Sequence, residues 1–482
     1  MKSEGKIEAA RMHSVVYFLH FLVAIAGLAA IVWLARKQAL PAGVMPGRDL
    51  PAWVFSLGVV GIAIFELVSF KASSTMYPLL DFLNSYYPAG EAALHHDSAM
   101  LRDLIGKGTS GFVNIPVVAY LFAPFALFQP KIAAGLYTLI GLAVTVISWF
   151  LLVRAFRLEL RERWLLAFLF LVNGPLLNGI KWGNLSYFIL CALAGGLVLV
   201  REGRSGVAGA LLGVATVIKP PLALFGLFFL FRRDVHGVLG YAAVGVVTVL
   251  LSLLVFGWAE NLNWFEASIV QYSHSWLSTF SVQSVSAFLI RFRPGIGIDY
   301  TDSIAQIPTQ GERLIASVLT GLLLITAAAA CIRGSSRMLP NTERQAGFRR
   351  DLQYVLVLCL VLVSSPLSWA HYYSWLLMPA AFFLGSRHTL APSQTVNWLG
   401  WLAIALVTPL VMRPNAFGAL GQTSIYRLFL VSHLLYGVLL WFGITAWWLA
   451  SSGGRLALRN EPTTDEVRDG RPTAACLQRP VN

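Results

Sequence analysis

Charged residues are scarce in this sequence, and carboxylates are the scarcest of them. Only 12% of the 482 residues are charged, with 23 Asp and Glu against 36 Lys and Arg, whereas 57% are hydrophobic. A soluble domain usually carries about 25% charged residues, so this composition indicates a membrane protein rather than a water-soluble one. The excess of basic residues does not indicate a nucleic-acid partner, because these residues fall between apolar runs rather than in one patch.

Cysteine is also rare, and other common site signatures are missing. The four cysteines are Cys191, Cys331, Cys359 and Cys476, and none belongs to a CxxC or Cys/His pattern. They are typical of small apolar side chains, so neither a disulfide framework nor a metal site is expected. No glycine-rich loop that could cradle a phosphate is present, and no cofactor is expected.

Long apolar runs are what the chain has in abundance. Each is long enough to cross roughly 30 Å of hydrocarbon as a helix, since open sheet edges cannot face lipid. The clearest runs are Ser14–Leu34, Trp53–Phe70, Ile132–Val153, Val238–Phe256, Leu314–Cys331 and Leu428–Ala450. The sequence therefore predicts an all-α polytopic membrane protein of about 12–13 spans.

Basic clusters predict how these helices are oriented. They lie at 154–163, 201–204, 232–233, 333–350 and from Arg455 onward, and the positive-inside rule assigns all of them to the cytoplasm. The connections at 81–130 and 257–311 are then external. Within the first, residues 114–128 are too short and too proline-rich to span comfortably, which favours an interfacial or re-entrant helix.

The same reasoning predicts three regions along the chain. Residues 1–13 form a polar N-terminal segment, 14–450 form the transmembrane domain, and 451–482 form a cytoplasmic, disordered tail. The first apolar run could be a cleaved signal peptide, but its length favours a retained helix. The orientation of the N-terminus stays open, because basic residues flank this run on both sides.

The segment DFLNSYYPAG, residues 81–90, places a carboxylate and an aromatic pair where the chain leaves the membrane. A carboxylate at a bilayer surface could bind a sugar and deprotonate a hydroxyl group, so Asp81 is a candidate general base. It could equally cap an interfacial helix. Tyr86 and Tyr87 could stack on a sugar ring or a prenyl chain, or could be residues of the interfacial aromatic belt.

Further polar residues reach the same predicted membrane face from distant parts of the chain. Lys219 ends an apolar helix before two prolines, and it could bind an anionic headgroup or simply extend toward water. His371 could donate a hydrogen bond to phosphate, or be a satisfied interfacial histidine. Three more candidates for substrate contact are Asn184, Gln283 and Trp369.

Several segments together resemble glycosyltransferase family 87, whose members are polytopic GT-C enzymes that use polyprenyl-phosphate sugars. The most similar segments are GALLGVATVIKPPLAL and SSPLSWAHYYSWLLMP, which contain Lys219 and His371. DFLNSYYPAGEAAL and NGIKWGNLSYFIL also match, although Asn184 stands where glutamine is typical. FVNIPVVAYLFAP resembles a Tyr-Pro-Pro stretch of the family, with Asn114 and Ile115 in place of the usual Tyr-Pro.

This resemblance implies a GT-C helix bundle with external interfacial helices, in a bacterial plasma membrane, with its active site facing the periplasm or exterior. It implies inverting transfer of a hexose, usually mannose, from a polyprenyl-phosphate donor to a lipid or glycan acceptor. Asp81 would be the base, Lys219 and His371 would stabilise the leaving phosphate, and no metal would be required. Two alternatives remain: a transporter or flippase of lipid-linked sugars, and a noncatalytic membrane assembly protein.

Overall fold

The computed structural model describes residues 79–298, 305–336, 343–390, 394–411, 423 and 425–451. The first two predicted spans, Ser14–Leu34 and Trp53–Phe70, lie outside the described residues, as does the polar tail after Ser451. The predicted boundaries at 13 and 451 therefore stay predictions.

Seventeen α-helices make up the described parts of the chain, together with short π and 3-10 turns. They are α1 Tyr87–Leu94, α2 Ser98–Gly106, α3 Ala123–Ala126, α4 Pro130–Phe156, α5 Leu160–Val172, α6 Gly174–Trp182, α7 Ser186–Arg201, α8 Ser205–Ile218, α9 Phe225–Phe231, α10 Val235–Phe265, α11 Gln271–His274, α12 Val285–Arg291, α13 Gln310–Ser336, α14 Glu343–Ser364, α15 Leu377–Leu390, α16 Gln394–Val407 and α17 His433–Ser451. No β-strand occurs in the ranges that the structure describes.

Among the described residues, four helices are long and apolar enough to cross a membrane: α4, α10 with its continuation to His274, α13 as far as Ile332, and α17. The bent pair α5 and α6 would make a fifth. Shorter apolar helices pack against them: α7 against α4, α8 against α10 and α16 against α17. The prediction of an all-α polytopic membrane protein is confirmed.

Small residues explain how the helices pack so closely. Gly209 of α8 lies against α10, where an added Cβ would be 2.1 Å from the carbonyl oxygen of Gly237. A side chain at Gly209 would push α8 and α10 apart, and glycines of this kind are typical of close membrane helix pairs. At the centre of the bundle, α14 is buried on all sides from Leu352 to Val363.

Two places in the bundle depart from straight apolar helices. A bend of 50° separates α5 from α6. Asn173 lies at the bend with a non-helical backbone, and its side-chain oxygen accepts a hydrogen bond from the Leu176 amide to begin α6. At the other site, α10 passes the expected exit at residue 257 and continues to Phe265, with a local break at Gly257 (φ 75°, ψ 177°). Glycine tolerates this positive φ without strain.

Helix α7 connects two polar regions at opposite ends of the bundle. Its first residue, Ser186, follows Asn184, one of the predicted site residues. Its last residue, Arg201, forms a salt bridge of 2.6 Å with the buried carboxylate of Asp351, in the third turn of α14. The basic end and the end that contains the predicted site are thus separated by the length of one helix.

Candidate active site

Asp81 begins a wide helical turn at the edge of the bundle. Residues Phe82–Tyr86 form a π turn, in which the Tyr87 amide bonds to the carbonyl of Phe82, before α1 begins. Such turns contain one more residue than an α turn and are frequent at functional sites. The Phe82 ring is fully buried, stacked on Tyr137 at 4.3 Å, so it anchors the turn that presents Asp81.

Asn184 is the direct partner of the Asp81 carboxylate. Its side-chain nitrogen donates a hydrogen bond of 2.7 Å to Oδ2 of Asp81. Its own oxygen accepts from the backbone N–H and the hydroxyl of Ser186, at 3.1 and 2.8 Å, which fixes the amide with its nitrogen toward Asp81. The predicted candidates Asp81 and Asn184 are therefore brought together by the start of α7.

A tight turn between α6 and α7 makes this contact possible. Gly183 adopts φ 67°, and a Cβ there would lie 3.0 Å from the Cβ of Phe82. Its carbonyl accepts a hydrogen bond of 2.9 Å from the Tyr137 hydroxyl, and the neighbouring Lys181 carbonyl accepts one of 2.7 Å from the Leu79 amide. The position needs glycine for both its conformation and its space.

Lys219 lies close to Asp81. Both belong to the part of the chain that the structure describes, and no direct ion pair joins them there. The α8 helix ends at Ile218, whose carbonyl accepts a hydrogen bond of 2.8 Å from the Asn114 side chain. Lys219 is buried, and its ammonium group lies 4.9 Å from the centre of the Tyr372 ring. Asn114, which departs from the family pattern, thus helps to fix the chain just before Lys219.

The charges of Asp81 and Lys219 influence each other across this site. Burial raises the pKa of Asp81 above its usual range, while the Asn184 amide and the Lys219 ammonium act to lower it. Burial lowers the pKa of Lys219 to about 8, with the Asp81 carboxylate acting in the opposite direction. The site therefore holds a carboxylate that can accept a proton and a cation that can lose one.

His371 stands in a 3-10 turn, Ala370–Leu376, beside the same aromatic ring. Its imidazole is 5.0 Å from Tyr372, and it is parallel to the Trp369 indole at 6.2 Å. The ring is 8% exposed, and its Nε2 has no hydrogen-bond partner. Burial, together with the nearby Lys219, lowers the pKa of His371 well below its usual range, so the ring is neutral. A buried imidazole nitrogen without a protein partner can bond to a ligand or a water molecule.

The backbone around Gln283 pairs with the backbone around Trp369, two residues before His371. Val282 forms an isolated antiparallel bridge with Trp369, and the Gln283 amide donates to the Ser368 carbonyl at 2.6 Å. The Gln283 side-chain nitrogen donates to the carbonyls of Phe280 and Val431, at 2.7 and 2.8 Å. The side-chain nitrogen of Gln283 is therefore used inside the protein, and its contact with substrate stays a prediction.

The two predicted tyrosines are packed rather than open. Tyr86 is 4% exposed and stacks on Phe122 at 4.8 Å, and Tyr87 is 6% exposed with its hydroxyl bonded to the Phe128 carbonyl at 2.9 Å. Both rings join the Asp81 segment to residues 116–128, which form a 3-10 turn and the short helix α3. Their role toward a sugar stays a prediction.

Arg291 is a buried residue of this region that the sequence reasoning missed. It is 2% exposed, and one guanidinium nitrogen donates to the carbonyls of Thr279 and Val282, at 3.1 and 2.9 Å. Another nitrogen donates to the Ser432 hydroxyl at 3.3 Å. The available signal was an arginine inside the apolar run SAFLIRF, because an ionisable residue in such a run needs internal partners.

Comparison with known proteins gives a match over much of the same part of the chain. The profile of glycosyltransferase family 87 matches residues 112–366, which is more than half of the chain. The chain belongs to glycosyltransferase family 87. The matched range contains Asn184 and Lys219, whereas Asp81 precedes it and His371 lies just beyond it.

Three relatives of this family 87 enzyme are similar over half or more of their length. A "Polyprenol-phosphate-mannose-dependent alpha-(1-2)-phosphatidylinositol mannoside mannosyltransferase" of Mycolicibacterium smegmatis is 24% identical over 63% of the chain and 69% of that protein. The protein of the same name from Mycobacterium tuberculosis is 25% identical over the same shares. A pentamannoside mannosyltransferase of M. smegmatis is 29% identical over 48% of the chain and 50% of that protein. This chain is a multi-pass membrane glycosyltransferase.

Proposed function

We propose that this enzyme transfers mannose, with inversion, from a polyprenyl-phosphate mannose donor to a hydroxyl group of a lipid or glycan acceptor at the non-cytoplasmic face. The donor and sugar are those in the names of the relatives. The observation that carries the proposal is the convergence of Asp81, Lys219 and His371 around the Tyr372 ring and the Asn184 amide.

Asp81 has the chemistry of a general base in this reaction. The acceptor oxygen attacks the anomeric carbon as its proton moves to the Asp81 carboxylate, and the bond from that carbon to the phosphate oxygen breaks. The raised pKa suits this task, because a more basic carboxylate takes a proton more readily. The Asn184 hydrogen bond uses Oδ2, so the other oxygen, Oδ1, would accept the proton.

Lys219 and His371 suit the departing phosphate. The bond that breaks leaves its electron pair on a phosphate oxygen, so negative charge develops there as the polyprenyl phosphate leaves. An ammonium group in a buried site stabilises such charge more strongly than it would in water. The unpartnered Nε2 of His371, when it carries the proton, adds a hydrogen bond to the same group.

The test is a transfer assay with the purified full-length protein in lipid, labelled polyprenyl-phosphate mannose and a phosphatidylinositol mannoside acceptor. We expect Asp81→Asn to lower turnover by about a hundredfold or more while donor binding is kept, since only basicity is lost. Asp103→Asn is the matched control, because that carboxylate is exposed and paired with Lys107.

Two results would contradict the proposal. Near wild-type turnover in Asp81→Asn would remove Asp81 from the mechanism. Movement of the intact labelled donor across vesicles, with no mannose transferred by the wild-type protein, would favour a transporter instead.

A further inference from the structure

Lys219 carries its charge in a buried site, and one aromatic ring lies within reach of that charge. The Lys219 residue is 5% exposed, so its ammonium group has lost most of the water that would stabilise it. The ammonium nitrogen lies 4.9 Å from the centre of the Tyr372 ring. The face of such a ring has a negative potential and attracts a cation within about 6 Å, more strongly where water is excluded. The ring of Tyr372 therefore favours the charged form of Lys219.

The Tyr372 ring is itself fixed in position by its neighbours. It is buried and stacks on the Trp375 indole, with the ring centres 5.0 Å apart and the planes inclined by 6°. The His371 imidazole contacts it at 5.0 Å, with an angle of 74° between the planes. Because protein interiors are close-packed, the ring cannot turn away from the ammonium group without displacing both neighbours.

The same packing connects the ring to the proposed base. The fully buried Trp375 indole donates a hydrogen bond of 2.9 Å to the carbonyl of Ser186. Ser186 donates through its amide and its hydroxyl to the side-chain oxygen of Asn184, whose nitrogen bonds to Asp81. One connected set of contacts thus extends from the carboxylate to the ring beside the ammonium group. The position of the ammonium group is therefore set relative to the proposed base.

Two other titratable groups of the described chain act on the Lys219 ammonium. Asp81 favours its charged form, whereas burial opposes that form and lowers the pKa of Lys219 to about 8. His371 is neutral, because burial and the nearby ammonium group lower its pKa, so it adds no charge. Removal of the attraction from the Tyr372 ring would lower the pKa of Lys219 further, toward neutral pH.

We propose that Tyr372 is a positioning residue for donor binding, whose ring holds the Lys219 ammonium in the site and keeps it charged for the donor phosphate. The proposal rests on the proposed transferase function, in which Lys219 binds that phosphate. Tyr372 then acts on the donor through Lys219 and through its ring rather than its hydroxyl group. Tyr372→Phe, which retains a ring, should therefore behave like the wild type, and Tyr372→Leu should not.

The test is equilibrium binding of labelled polyprenyl-phosphate mannose to the purified full-length protein in lipid, from pH 6 to 10. The donor is a phosphodiester whose charge is constant over this range, so changes in affinity report on the protein. In Tyr372→Leu the decline in affinity should begin about one pH unit lower than in the wild type, because the charged form of Lys219 is weakened about tenfold. Its affinity should be within about twofold of the wild type at pH 6 and about fivefold weaker at pH 8.

Phe228→Leu is the matched control. Phe228 is also a buried ring beside a cation, 5.6 Å from the Arg232 guanidinium, but it lies at the basic end of the bundle. This variant loses an aromatic ring of the same kind and should leave the pH dependence of donor binding unchanged.

A fluorinated phenylalanine at position 372 is the second variant, compared with Tyr372→Phe. It fills almost the same space, but fluorine withdraws electrons and weakens the negative potential of the ring face. It should therefore move the decline in affinity to lower pH as Tyr372→Leu does. This expectation still tests the proposal if Tyr372→Leu does not fold.

Three results would overturn the proposal. A fluorinated variant whose decline coincides with that of Tyr372→Phe would exclude the attraction between ring and cation. A loss in Tyr372→Leu that is the same at every pH would indicate lost packing alone. An equal shift in Tyr372→Phe would assign the effect to the hydroxyl group.

These measurements require no mannose transfer, so they are separate from the test of the proposed function. If the wild-type protein binds the donor and transfers no mannose, the proposed function fails and the shift with pH still tests Tyr372. If it transfers mannose and its donor affinity does not fall above pH 8, the inference about Tyr372 fails alone.

Discussion

The carboxylate of Asp81 accepts a hydrogen bond of 2.7 Å from the side-chain amide of Asn184, 103 residues later in the chain. The amide cannot turn away without losing its two bonds from Ser186. Asn184 therefore does two things at once: it holds the carboxylate in position, and it stabilises the charged form that can accept a proton.

The first prediction concerns this bond and the pH dependence of the reaction. Asn184→Ala removes a donor that lowers the pKa of Asp81, so that pKa should rise further. Since only the carboxylate is a base, the acidic limb of the kcat/KM profile should move to higher pH. Asn184→Asp should move it further in the same direction, because two carboxylates then face each other. If the pH profiles of kcat/KM for both variants coincide with that of the wild type, Asn184 does not influence the base.

The second prediction concerns Lys219 and donor binding. Its pKa of about 8 means that the ammonium is lost as pH rises through that value, so donor affinity should fall above about pH 8. Lys219→Met should weaken donor binding at pH 7 by about 1.5–3 kcal/mol and abolish this pH dependence. Lys219→Arg should keep its charge and shift the fall to higher pH.

Equilibrium binding of labelled donor from pH 6 to 10 would measure these effects, with His371→Phe beside the lysine variants. We expect His371→Phe to weaken donor binding without changing the decline above pH 8, because the neutral imidazole contributes a hydrogen bond and no charge. Unaltered donor affinity in both Lys219→Met and His371→Phe would reject their assignment to the phosphate.

The third prediction concerns Arg291 as a support for the backbone that carries His371. Arg291→Met leaves the carbonyl of Val282 without its donor, at a cost of about 1–3 kcal/mol for the buried group, and removes one of two donors from the carbonyl of Thr279, which keeps the Val282 amide. The midpoint temperature of thermal unfolding in detergent should fall clearly in Arg291→Met. In Arg291→Lys it should fall less, but it should stay below that of the wild type. Arg293→Met is the control: its partly exposed pair with Glu312 should contribute about 1 kcal/mol or less. Equal midpoints for the two methionine variants would contradict this role.

The fourth prediction concerns orientation in the membrane. The test uses a protein whose own cysteines are changed to serine. One new cysteine then replaces either Ala99 or Arg204, which are both exposed, and each reports which side of the membrane its end of the bundle faces. Ala99 belongs to the connection that was predicted to be external, and Arg204 belongs to a basic cluster. A membrane-impermeant thiol reagent on spheroplasts should label Ala99→Cys and leave Arg204→Cys protected. The reverse pattern would invert the orientation.

The class of fold could be predicted because length and hydropathy alone determine where a helix can cross lipid. The bend at Asn173 and the continuation of α10 past Gly257 could not, since both depend on local backbone conformation rather than on hydropathy. The Gly174–Pro175 pair was a weak signal for the bend at Asn173, and Gly257 alone was little signal for the continuation of α10.

For the candidate site, the sequence identified which side chains converge but not how they are held. Charge distribution brought Asp81, Asn184, Lys219 and His371 to one face, and the structure shows them as neighbours through hydrogen bonds and the Tyr372 ring. The contribution of Arg291 depends on carbonyl acceptors, which every residue possesses and which no side-chain pattern reveals.

The two helices that lead directly to the site, α7 and α8, have only 16 and 14 residues. At 1.5 Å per residue they measure about 24 and 21 Å, less than the roughly 30 Å of an average hydrocarbon layer. Both pack against helices of membrane-spanning length, α7 on α4 and α8 on α10, so each short helix covers only part of the length of its longer neighbour.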